Sequence, residues 1–220
     1  MSQAETKSKK FVWFEFQKLE FPQLRPMHLA AVIPICVAMN FAGSVIVQTL
    51  KLPLFLDFGG TILATIVGGF WPGLVVGFLT MILQGLLINP TSFAFLPLPL
   101  LSTFVLWLLL KNGWGRTWIG FIITLLLYSF SLTIVTAPVV AFAFGGFTGN
   151  AWDVGTAVLL QATKDVFSAT FFTHFFESIV DKGILFFVVI AILRALPPHW
   201  RKMTPLAVEE EELEDEEEEE

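Results

Sequence analysis

Hydrophobic positions along this chain run together rather than alternating with polar ones. Leu29 to Leu50 is an uncharged stretch of 22 residues, and Phe58 to Leu110 is another of 53. A hydrocarbon core of about 30 Å takes about 20 residues of helix. The first stretch is therefore one crossing. The second is punctuated at Trp71-Pro72-Gly73 and at Asn89-Pro90-Thr91-Ser92, and so reads as three. Thr117 to Trp152 is uncharged and ends in Gly145-Gly146-Phe147-Thr148-Gly149-Asn150. Asp153 to Leu193 is apolar but carries Asp153, Lys164, Asp165, Glu177, Asp181 and Lys182.

This pattern predicts an all-α integral membrane protein, a bundle of six transmembrane helices with a short second and third helix. The expected spans are 29–50, 53–70, 73–88, 94–110, 117–144 and 176–194. Residues 151–173 are expected to be helical too, either lying at the outer surface or extending the sixth span. Around this domain (29–198) the sequence places a cytoplasmic N-terminal arm (1–28) and a cytoplasmic acidic tail (199–220) of disordered composition. The arm is too long and too mixed in charge for the n-region of a signal peptide.

Composition strengthens the membrane reading. Hydrophobic residues make up 55% and charged ones 15%, against about 25% charged in a soluble domain, and the mean hydropathy is +0.74. The net charge of −6 misleads, because Glu209 to Glu220 hold 11 of the 19 acidic groups; the remainder has 13 basic and 8 acidic residues, a balance of +5. Such a run is expected to be a solvated tail rather than a cation site. Cys36, the single cysteine, allows no internal disulfide and fits a buried thiol.

Orientation follows from the basic residues. With the N terminus inside, cytoplasmic segments hold Lys7, Lys9, Lys10, Lys18, Arg25, Lys111, Arg116, Arg194, Arg201 and Lys202, leaving Lys51, Lys164 and Lys182 on the other side. Both ends are basic, so the number of crossings is even, as six is.

The chain has no G-x-x-x-x-G-K-[ST] to cradle nucleotide phosphates, no H-E-x-x-H and no G-x-S-x-G. No cofactor or metal is expected, and nothing points to nucleic acid. Ionisable groups in a membrane are costly, which makes each a candidate for function. Asp57, Asp153, Asp165, Glu177 and Asp181 all fall towards the outer side, as do Gln48, Gln84 and Asn89, with Asn40 midway along the first span. The candidate substrate-binding residues are Asn40, Asp57, Gln84, Asn89, Asp153, Glu177, Asp181 and Lys182, with most weight on the last two. Asp57 and Asp153 also stand where each could cap a following helix. Glu177 and Asp181 share a helix face. Lys182 points elsewhere, so its partner is expected from another helix. Ala31, Ala38 and Ala42 form a small-residue stripe, suited either to internal packing or to docking a second membrane protein.

Leu52-Pro53-Leu54-Phe55-Leu56-Asp57-Phe58-Gly59-Gly60-Thr61 resembles the loop and second helix of substrate-binding S components of energy-coupling factor (ECF) transporters. Gly69-Phe70-Trp71-Pro72-Gly73, Phe144 to Gly149, Asp153, Glu177 with Asp181-Lys182, and Leu196-Pro197 resemble the same family. The likeness covers about residues 29–198. It implies a six-helix fold in the plasma membrane of a prokaryote, capturing a small molecule of the vitamin or precursor class. It also implies a transmembrane T component and two cytosolic ATPases as partners. In that family a small-residue stripe in the first helix meets the T component, and Ala38-x-x-x-Ala42 has that spacing. Substrate loops there would correspond to residues 51–60, 89–95 and 145–165. Metal-type members carry a histidine directly after Met; Ser2 stands here, so a nickel or cobalt substrate is not implied.

Two other classes compete. A membrane sensor or assembly module could use the same fold without transport, and a fused signalling domain would mark it. A membrane-embedded enzyme would need paired catalytic groups, for which His174, Glu177 and Asp181 could be offered.

Overall fold

The computed structural model describes residues 26–114 and 118–195. The N-terminal arm up to residue 25, Arg116, Leu196-Pro197 and the acidic tail lie outside the described residues. Seven α-helices account for the described chain: α1 (Pro26–Leu50), α2 (Gly59–Gly68), α3 (Phe70–Leu87), α4 (Pro97–Lys111), α5 (Trp118–Pro138), α6 (Asp153–Thr163) and α7 (Val166–Ala195). A 3₁₀ segment, Pro90–Phe95, precedes α4, and a π-helical turn, Val139–Ala143, continues α5. The described chain is all-helical, as the hydrophobic runs predict. Among the described residues, three stretches are long and apolar enough to cross a membrane: His28–Leu50, Phe70–Leu87 and Ile119–Ala143.

Several boundaries differ from expectation, each for a local reason. The second span was expected from residue 53, but α2 begins at Gly59. Lys51 and Leu56 take positive φ values of 51° and 49°, so the chain leaves α1 through a left-handed residue and stays irregular to Phe58. At 1.5 Å per residue, the 10 residues of α2 cover about half a hydrocarbon core. The break into α3 was expected at Trp71-Pro72-Gly73 and falls instead at Gly69, whose φ of 84° suits glycine. Pro72 is then accommodated in the first turn of α3, where an N–H would have no partner in the helix. Residues 151–173 are helical, as expected, and divide between two helices. Asp153–Thr163 is a separate helix, and from Val166 onwards the chain belongs to α7, 30 residues long. Asp165 caps α7, its Oδ2 accepting the Ser168 N–H at 2.8 Å.

The short helix α2 sits at the centre, packed against α1, α3, α4 and α7, while α5 packs on α4 and α7, and α6 on α7. Eight of its ten residues are buried. Close approach to α1 depends on Gly60, where a Cβ would collide with the Cys36 backbone carbonyl. Around α2 the core gathers Ile62, Ile66, Leu106, Tyr128, Val189 and Leu193. Polar side chains lie inside as well, among them Asn40, Thr61, Thr80, Gln84, Ser102 and Thr133, while Ile35, Leu86, Ile119 and Phe142 are turned outward. Apolar residues outside and hydrogen-bonded polar ones inside is the distribution a lipid surround requires.

Candidate ligand-binding cavity

A cavity of about 650 Å³ opens at the end of the bundle where α1, α3 and α5 finish and α7 passes. Ser44 and Gln48 of α1, the 51–58 segment, Gln84 of α3, Asn89, the 3₁₀ segment, Thr133 and Thr136 of α5, and residues 148–151 contribute to its wall. The remaining side is a single face of α7: His174, Glu177, Ser178, Asp181 and Lys182. These recur at three- and four-residue intervals, which aligns them along the helix. The volume is that of a small-molecule site.

Asp181 is fully buried and committed to the protein itself. Its Oδ1 accepts the backbone N–H groups of Phe55 and Leu56, both at 3.0 Å. Its Oδ2 accepts Lys182 Nζ at 2.5 Å. The expectation that Lys182 pairs with another helix is therefore corrected. Its four-carbon stem is long enough to fold back to the preceding residue, and the ammonium also lies 4.7 Å from the centre of the Phe58 ring. The pair thus holds the irregular 51–58 segment, with its left-handed Leu56, against α7.

Glu177 is 2% exposed. His174 Nδ1 lies 2.6 Å from Glu177 Oε2, while Glu177 Oε1 has no hydrogen-bond partner among the described residues. Asp57 does not cap α2. Its Oδ2 is 3.5 Å from Gln84 Nε2, and its Oδ1 is likewise unpartnered. Gln84 donates more closely to Ser44 Oγ, at 2.5 Å. Asn89 caps the 3₁₀ segment, its Oδ1 accepting the Thr91 N–H at 3.1 Å.

Of the eight candidate binding residues, Asp57, Gln84, Asn89, Glu177, Asp181 and Lys182 line the cavity, and Asn40 and Asp153 do not. Asn40 is fully buried and used up in links between helices: Oδ1 accepts the Gly60 N–H, and Nδ2 donates to Thr61 and Thr80. Asp153 stands just inside α6 rather than at its cap. It reaches back to accept the N–H groups of Thr148 and Gly149, at 3.2 and 2.7 Å, and so shapes two residues of the wall. Trp152 Nε1 donates to the Pro53 carbonyl at 2.7 Å and joins that loop to the 51–58 segment.

Ser44, Thr133, Thr136 and Ser178 were not singled out by sequence. Ser178 could have been, as the residue four after His174 and three before Asp181. The hydroxyls of α1 and α5 carry no such signal. Among the described residues, Ala31, Ala38 and Ala42 are all exposed. Among the described residues no three His, Cys, Asp or Glu side chains converge as metal ligands. Compared with protein-family models, curated proteins and solved structures, the chain matches none.

Proposed function

We propose that this chain is the substrate-capture subunit of an ECF-type importer. It would take a small molecule, of the vitamin or precursor class, from outside the cell and rely on a transmembrane T component and two cytosolic ATPases for uptake. The observation that carries this reading is the cavity. It has the volume of a small-molecule site, it lies at one end of an apolar helical bundle, and buried ionisable side chains face it.

In this reading α1 to α5 and α7 make six crossings. The 53–58 segment completes the short α2. The four ionisable residues in the middle of α7 are tolerated because they face the cavity and one another rather than lipid. The excess of Lys and Arg in the segments before α1, between α4 and α5 and after α7 is assigned to the cytoplasm in this reading, which turns the cavity outward. The exposed stripe Ala31, Ala38 and Ala42 is the docking face for the T component.

The test is to purify the chain from its native membrane, release any bound small molecule, and identify it by mass spectrometry. One compound in near-stoichiometric amount, able to rebind the stripped protein, is the expected result. A chain that releases no such compound, and whose melting temperature no vitamin or precursor raises, would refute the reading.

A further inference from the structure

Three buried side-chain atoms without a hydrogen-bond partner among the described residues belong to cavity-lining residues: Asp57 Oδ1, Glu177 Oε1 and Ser178 Oγ. Glu177 and Ser178 are 2% and 9% exposed. An ionised carboxylate can only accept hydrogen bonds, and a buried acceptor left unmatched is costly to keep dry. The cavity wall therefore holds acceptors in search of donors.

Charge points the same way. Asp181 and Lys182 neutralise each other at 2.5 Å. Asp57 and Glu177 remain, with His174 on the far oxygen of Glu177 and the neutral amide of Gln84 on Asp57. Lys51, the other basic residue of the wall, is exposed. With Asp57 and Glu177 ionised, one negative charge is left over beside the unmatched acceptors even when His174 is protonated. Phe58 and Phe95 supply apolar wall.

We infer that the cavity takes a small organic cation with at least two N–H donors, an ammonium or amidinium group, seated between Glu177 Oε1 and Asp57 Oδ1 with Ser178 Oγ beside it. This rests on the reading of the cavity as a capture site, and it names the ligand's chemical class.

The test uses the full chain in detergent with Ser92→Cys as a reporter on the cavity wall. The probes are three molecules of one shape: benzamidinium, neutral benzamide and anionic benzoate. Each is titrated as a protectant against alkylation of the introduced thiol. Benzamidinium should protect at a concentration at least about tenfold below that of benzamide, the range of a charge-assisted hydrogen bond, and benzoate should be weakest. Glu177→Gln and Asp57→Asn, which remove unpaired charge and keep the shape, should each shrink that advantage several-fold, weakening benzamidinium more than benzamide. Protection by benzamide or benzoate at the same or lower concentration would overturn the cation inference while leaving a functioning cavity. An advantage that neither variant shrinks would overturn the assignment to Glu177 and Asp57. Absence of protection by all three would overturn the cation inference, while the capture reading stands or falls on the mass-spectrometric test above.

Discussion

Asn40, midway along α1, accepts the backbone N–H of Gly60 through its Oδ1 at 2.6 Å. It thereby satisfies an amide at the start of α2 that no residue of α2's own approach reaches, while its Nδ2 holds Thr61 and Thr80 at 3.0 Å. One side chain thus ties three helices together. Asn40→Ala leaves buried groups on two other helices unmatched, each worth about 1–3 kcal/mol. We expect a clear drop in melting temperature in detergent, with ligand binding retained below the melt. Unchanged stability with lost binding would instead place Asn40 in contact with the ligand.

Asp181→Asn removes the charge that balances a buried ammonium. Breaking one half of a buried pair costs about 3–5 kcal/mol, so this variant should lose more stability than Asn40→Ala. Combining it with Lys182→Met, which removes the stranded charge, should recover part of the loss. Thermal melts of the two single variants and the double variant check this. Additive losses would mean that the pair is not coupled.

Trp152→Phe keeps an aromatic ring and deletes the bond to the Pro53 carbonyl. A hydrogen bond of this kind contributes about 0.5–1.5 kcal/mol, or about 2- to 12-fold. The loops it joins both line the cavity, so the change should appear as faster ligand dissociation, measured by stopped-flow, with little effect on association. A slower association alone would separate this latch from loop closure.

Ala38→Leu and Ala42→Leu add bulk to an exposed face. Transport in cells should fall while binding to the isolated chain survives, because neither side chain touches the cavity. Equal loss of both would show that bulk at these positions distorts α1 itself.

Introduced cysteines at Gly113 and Asn150 report topology. An impermeant thiol reagent applied to intact cells should label the Asn150 site and leave the Gly113 site untouched. The reverse pattern would invert the orientation.

Much of this protein is legible in its sequence because the runs are long and their physics is local. A stretch of 22 uncharged residues has few fates other than a buried or membrane helix, and α1, α3 and α5 fall where the runs do. The cavity wall from α7 is also legible in part, since Glu177 and Asp181 share a face by helical spacing alone. Tertiary structure decided the rest. Whether Asp57 caps α2 or faces a cavity depends on Asn40 reaching Gly60 first, a contact between residues 20 apart in sequence. Whether Lys182 looks to another helix or back to Asp181 depends on how a flexible stem folds in a closed space. The unmatched oxygens of Glu177 and Asp57 appear only when α3, α7 and the 51–58 segment meet. Hydrogen-bond satisfaction belongs to the assembled groups, and no single stretch of sequence contains it.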